Sequence, residues 1–165
     1  MRLLIIAFAC VLAAVAPGAG IAGDSVWDAP ATQTSTSGPL DITVYYSPTC
    51  GCCGSWMDHL KKHQFNVTRV PTNDMSAVKS QHELPANMGS CHTAVIDGFI
   101  IEGHVPASDI KQLLKDRPAS IAGLSVPEMP VGTPGMEMGP RKDPFAVMAF
   151  DKQGRSSVYK QYTDY

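Results

Sequence analysis

The sequence predicts an α/β protein, and three observations carry that prediction. Short β-branched and aromatic runs alternate with stretches whose apolar residues recur at helical spacing. Breakers fall between those stretches, at Ser47-Pro48, Pro85, Asp97-Gly98 and Pro118. The resulting order is β-α-β-α-β-β-α, in which strands and helices first alternate and a tight hairpin follows.

Each element has its own justification. Leu40 to Tyr46 alternates with β-branched and aromatic residues, as a half-buried strand does, and Ser47-Pro48-Thr49 stops it. From Cys52 to Gln64, Trp56, Met57 and Leu60 share a helical face, and Lys61, Lys62 and His63 stand late, where cations suit a helix C-terminus. Phe65 to Val70 reads as a second strand, and Met75 to Leu84 as a second helix that ends before Pro85. Thr93–Ile96 and Phe99–Glu102 are short strands joined by Asp97-Gly98, a strong two-residue hairpin signal. Pro106 opens a third helix with Ile110, Leu113 and Leu114 on one side, closed by Pro118. This order over residues 40–118 is that of a thioredoxin-like domain. After it come Ile121 to Pro140, a loop rich in Met, Pro and Gly, and a hairpin of Phe145–Phe150 and Ser156–Tyr162. Residues 119–165 are expected to form a C-terminal extension packed on the main domain, since a lone hairpin is marginally stable. Trp56, Leu60, Ile110 and Leu114 are the expected core.

The N-terminus belongs to a different category. Met1-Arg2, an apolar run from Leu3 to Ala16, Pro17-Gly18 and the small residues around Ala22 read as a signal peptide over residues 1–22. The run falls short of the roughly 20 apolar residues that span a bilayer. Cys10 lies inside it and is expected to be discarded with it. Residues 23–39 are rich in Ser, Thr, Pro and Gly and read as a flexible leader. The expectation is an exported protein with no membrane insertion after signal cleavage.

Charge and composition exclude several functions. The 165 residues carry 13 Lys+Arg against 15 Asp+Glu, a formal net charge of −2, with no dense basic stripe. Nucleic-acid binding through phosphate neutralisation is therefore not expected. Aromatic residues are 7% of the chain, too sparse for single-strand stacking platforms.

The chemistry gathers at cysteine. Cys50, Cys52 and Cys53 sit between the first strand and the first helix, where backbone N–H groups and the positive helix end stabilise thiolate over thiol. Cys50 and Cys53 have the C-x-x-C redox spacing, and Cys50 and Cys52 form C-x-C beside a third thiol. A dithiol switch needs only two sulfurs, whereas a soft-metal site gains from every added thiolate. Cys91-His92 stands at the entrance to the third strand, in the loop that lies beside the C-x-x-C helix in a thioredoxin-like fold. Four sulfurs and one nitrogen are thus expected to converge from two loops. Adjacent Cys52 and Cys53 diverge by about 100° on a helix, which suits bridging thiolates in a polynuclear site better than one tetrahedral zinc. A structural alternative pairs Cys50 with Cys53 and Cys52 with Cys91, but stabilising bridges usually close longer loops.

Several motifs together resemble one family. Tyr45-Tyr46-Ser47-Pro48-Thr49-Cys50-Gly51-Cys52-Cys53-Gly54-Ser55-Trp56 is similar to the periplasmic copper-resistance family CopG, first catalogued as a domain of unknown function. Ser90-Cys91-His92-Thr93-Ala94-Val95, Glu102-Gly103-His104-Val105-Pro106, Val126 to Gly132 and Pro134-Gly135-Met136-Glu137 carry the resemblance further, over residues 40 to 162. Glu128 is a departure, standing where a glycine is usual. The resemblance implies a thioredoxin-like protein that binds copper, as a multinuclear thiolate cluster, through Cys50, Cys52, Cys53 and Cys91, with His92 nearby. It also implies a role in Cu(I)/Cu(II) redox interconversion during copper resistance, which leaves open whether the protein is a copper oxidoreductase or a metal-binding protein. Copper ions are the expected partners, together with periplasmic copper carriers or redox partners. No separate catalytic or cofactor-binding residue is assigned. The rival function is a thiol–disulfide oxidoreductase using Cys50 and Cys53, with Cys91 as the resolving thiol. A structural disulfide domain serving as a binding module is the third.

Met129, Met136 and Met138 are soft thioethers, expected to pack their loop onto the domain and otherwise to guide or cap copper. His59 and His63 are four residues apart, and without a third ligand in view they read as a solvated helix face. His104 is assigned either to support of the site or to the cap of the helix that follows it.

Overall fold

The protein is described by a computed structural model over residues 25–28 and 40–165. The signal peptide and most of the predicted leader therefore lie outside the described residues. The elements are β1 (Asp41–Tyr46), α1 (Gly51–Lys62), β2 (Asn66–Pro71), α2 (Met75–Gln81), β3 (His92–Ile96), β4 (Phe99–Glu102), α3 (Ala107–Asp116), β5 (Gly123–Ser125), β6 (Phe145–Phe150) and β7 (Ser156–Tyr162). The order predicted for residues 40–118 is the order observed.

The strands form one mixed sheet in the order β2-β1-β3-β4-β5-β6-β7. β1 runs parallel to β2 and antiparallel to β3, and β3 pairs antiparallel with β4 across the Asp97-Gly98 turn. Both turn residues adopt positive φ, +49° and +85°, as a tight hairpin of this hand requires. β5 pairs parallel with β4 and antiparallel with β6. The C-terminal segment therefore continues the sheet edge to edge, and its Phe145, Val147 and Ala149 join the main core. The three-residue β5 makes that joint, and no alternation in the sequence announces so short a strand.

Ile42 and Val44 of β1, Trp56, Met57 and Leu60 of α1, and Ile110 and Leu113 of α3 meet in one main core. Leu114 packs against it from a partly exposed position. Met88, Ile100 and Phe150 form a smaller cluster, so successive residues of β4 are covered on both faces. α2 is shorter than predicted and buries no residue.

Two expectations are corrected here. Trp27 falls within the leader that the sequence predicts to be flexible, yet Val26–Asp28 forms a short turn that docks, leaving Trp27 9% exposed. Its ring packs among Phe145, Tyr162 and Tyr165, and its Nε1 donates to the Gly132 carbonyl at 2.7 Å. His59 and His63 are buried, at 6% and 8% exposure, and not on the solvated face that their spacing predicts. Trp27 covers His63, and the start of α3 covers His59. Those residues lie too far along the chain for helical spacing to reveal the contact.

Candidate metal centre

Backbone pairing explains why the cysteines meet. Tyr46, the last residue of β1, is opposite His92, the first of β3, so the loop after β1 and the loop before β3 leave the sheet at the same end. The first loop ends at Cys50, the residue preceding α1, and Cys52 and Cys53 occupy the first helical turn. That turn carries no acidic side chain, so the positive helix end faces the sulfurs uncompensated. Cys91 immediately precedes β3.

The sulfurs are close. Cys50 Sγ lies 3.7 Å from Cys52 Sγ, and Cys52 Sγ lies 3.9 Å from Cys91 Sγ. One ligand atom from each of Cys50, Cys52, Cys53 and Cys91 falls within 4.8 Å of the others. Cys50 and Cys53 are joined as a disulfide with Cα atoms 5.6 Å apart, while Cys52 and Cys91 are free thiols. This is the state in which half of the structural alternative holds. The other half does not, since Cys52 and Cys91 stay unbonded.

Two imidazoles complete the surroundings of Cys91. His92 Nδ1 is 3.1 Å and His104 Nε2 is 3.3 Å from Cys91 Sγ. Cys91, His92 and His104 form a second ligand group that shares its cysteine with the first. His104 Nδ1 donates to the Pro134 carbonyl at 2.8 Å, which leaves the lone pair on Nε2, the atom facing the sulfur. Burial holds both histidines below the ordinary imidazole range; the His104 charge adds to the effect on His92, and the Pro134 carbonyl opposes it on His104. Both rings are thus kept neutral, the form that ligates. His92 Nε2 is buried with no hydrogen-bond partner. Burial, with the neighbouring Cys52 sulfur, pushes the Cys91 thiol up to about 12. Without a cation this thiol stays protonated, and a bound cation would replace the proton.

His104 has two possible roles in the sequence, and the structure places it beside Cys91. Its signal is the hairpin register. Thr93 pairs with Glu102, and the Gly103 amide donates to the His92 carbonyl, so the residue after Gly103 must return beside Cys91. Glu102 pins the same loop from below. It is fully buried, accepts from the Ser90 amide and the Thr93 hydroxyl at 2.6 Å each, and is paired with Lys79.

The methionine-containing loop closes over this end. Gly135 has φ +81°, and a Cβ there would lie 2.5 Å from the Trp56 backbone nitrogen. Only glycine lets the loop approach α1 closely enough to set the Pro134 carbonyl on His104. Met129 and Met138 are exposed, so the expectation that all three methionines pack the loop is corrected for these two. Their thioethers reach into solvent because the loop is anchored by backbone and Trp27 contacts instead. Glu128 has φ +63°, so the chain keeps a glycine-like backbone there with a glutamate side chain.

A cysteine cluster at the end of an α/β sheet, with neutral imidazoles beside it, defines a protein whose site is positioned for metal binding. The family described as "Protein of unknown function, DUF411" matches residues 88–136. No curated protein matches the chain. Two solved structures described as copper resistance protein CopG, form 1 and form 2, are similar to it. They show 49% and 48% identity and a TM-score of 0.73 each, covering 77% and 76% of this chain and 100% of theirs. The chain belongs to the CopG copper-resistance family.

Proposed function

We propose that this protein serves copper resistance by binding copper, held as Cu(I) in a multinuclear thiolate cluster, after export to the periplasm on the signal peptide read at residues 1–22. The supporting observation is Cys91, shared by a four-cysteine group and a Cys–His–His group. Cu(I) favours thiolate and low coordination number, so this many donors around one shared sulfur suit more than one ion. Cys50, Cys52, Cys53 and Cys91 supply thiolates, and His92 and His104 supply nitrogen. The imidazoles lower the cost of Cu(II), which supports redox interconversion at the same site. The thioredoxin-like strand order supplies the scaffold, and periplasmic copper carriers or redox partners would complete the cycle.

Loading all four sulfurs requires the Cys50–Cys53 disulfide to take up two electrons and two protons from a thiol or equivalent donor. Each Cu(I) then displaces thiol protons as it binds. The test is copper analysis of the chain reduced and loaded anaerobically. More than one copper per chain is expected, falling to one or none in Cys91→Ala. Uptake of no copper by the reduced wild type would sink this reading.

The disulfide favours a second reading, a thiol–disulfide oxidoreductase using Cys50 and Cys53. In that case the copper-free protein would reduce a disulfide substrate promptly, and Cys52→Ser would leave the rate unchanged.

A further inference from the structure

The far end of α1 carries a second group of potential ligands. His59 and His63 lie one helical turn apart and face Asp28 of the docked N-terminal turn. One ring nitrogen of each histidine and a carboxylate oxygen fall within 4.8 Å of one another. Asp28, Asp58, Glu137 and His59 line an adjoining cleft together with Lys62, so its three carboxylates face a single ammonium.

The hydrogen bonds fix what each ring can offer. His63 Nε2 lies 2.6 Å from the Trp27 carbonyl and so carries the hydrogen, leaving a lone pair on Nδ1. A histidine that gives its other N–H to a carbonyl is arranged as metal-ligating histidines are. His59 is arranged the other way. The Ala107 amide donates to His59 Nε2 at 3.1 Å, so the hydrogen of the neutral ring sits on Nδ1. That Nδ1 is buried and has no partner, in a side chain only 6% exposed. A buried donor with no acceptor is costly and calls for one. His59 therefore cannot ligate through Nδ1 without losing its last proton, but it can hold a water.

We propose that Asp28 and His63 bind a borderline divalent cation, Cu(II) or Zn(II), with the His59 Nδ1–H donating to a water on that cation. Imidazole and carboxylate suit such ions, whereas the sulfur cluster at the other end of α1 suits Cu(I). The two sites would sort copper by oxidation state. Lys62 pairs with Asp28 Oδ2 at 2.8 Å and is 61% exposed, so its ammonium competes with the cation and can retreat into water when the cation binds.

The test uses the full chain with its Cys50–Cys53 disulfide intact and with Cys52→Ser and Cys91→Ser in place, so that the sulfur cluster is out of play. Cu(II) is titrated by electron paramagnetic resonance with electron spin-echo modulation, and Zn(II) by competition with a chromophoric chelator. One Cu(II) per chain with one coordinated imidazole is expected. His63→Ala should abolish it, and Asp28→Asn and His59→Ala should each weaken it about tenfold. Lys62→Met should tighten it several-fold, an effect that damage to the fold would not produce. Asp28→Asn and Lys62→Met keep the test decisive if His63→Ala unfolds. Absence of uptake of either metal, or a signal that survives His63→Ala because it resides on His92 and His104, would overturn the site. Two coordinated imidazoles would overturn the role given to His59. The outcome is independent of whether the reduced cysteines take copper.

Discussion

The two ends of α1 present opposite solutions to holding reactive side chains. At the N-terminal end, sulfurs from two loops converge because β1 and β3 are hydrogen-bonded neighbours, and the helix end favours thiolate. At the C-terminal end, His59 and His63 are enclosed by segments remote in sequence, Trp27-Asp28 and Pro106-Ala107. The first cluster is set by strand register and is soft. The second is set by docking and is harder, with nitrogen and oxygen donors. One helix thus carries two different sets of donor atoms because different parts of the chain complete it at each end.

The largest expected effect separates the ends through stability. Trp27→Ala removes a buried indole and its hydrogen bond to Gly132, and should cost about 3–5 kcal/mol in denaturant unfolding at fixed redox state. Cu(I) held by the reduced sulfur cluster should be unchanged per folded chain while Cu(II) uptake at Asp28 and His63 is lost; a parallel loss of Cu(I) would merge the two ends into one unit.

Gly135→Ala acts on the sulfur end instead. Its methyl group would meet Trp56 backbone in a positive-φ residue, costing about 1–3 kcal/mol. Because the Pro134 carbonyl orients His104, copper affinity should fall by about tenfold as measured by chelator competition. Unchanged affinity would remove His104 from the site.

Acid should act on both ends of the metal-free protein. Burial, aided by His63, lowers His59 from 6.5 to about 3, and His92 and His104 move in the same direction. The folded state binds these protons less readily than the unfolded chain. Their contribution is therefore complete above pH 6.5 and is lost as pH falls toward about 3. Urea midpoints should drop between pH 7 and about 4.5, with a shallower slope in His59→Gln. An unaltered slope would assign the acid sensitivity to the sulfur end alone. The smallest effect expected is at Glu128, where Glu128→Gly relieves a positive φ and should raise stability by about 1 kcal/mol, read from the same urea midpoints.

Much of this molecule was legible in the chain. β1, β3, β4 and the β6–β7 hairpin announce themselves by alternation and turn residues, and Cys50, Cys52, Cys53, Cys91 and His92 by type and spacing. β5 was not legible, since three residues show no period and its neighbours alone make it a strand. His104 was visible as a residue but without a role, because its partners, Cys91 and Pro134, meet it only through hairpin register and a returning loop. His59 and His63 looked solvated because i, i+4 spacing says which side chains share a face, and nothing about what covers that face.

By itself, then, the sequence determined the local elements, the soft character of the cysteine loop and the family to which the motifs belong. Periodicity, turn chemistry and ligand type are properties of short stretches, and a short stretch suffices to read them. Tertiary structure decided the rest: which sulfurs are bonded, that His104 stands beside Cys91, that Trp27 is core, and that α1 ends in an Asp–His–His group whose histidines are buried. Those facts depend on contacts between residues tens of positions apart, which the packing of the sheet and its loops creates.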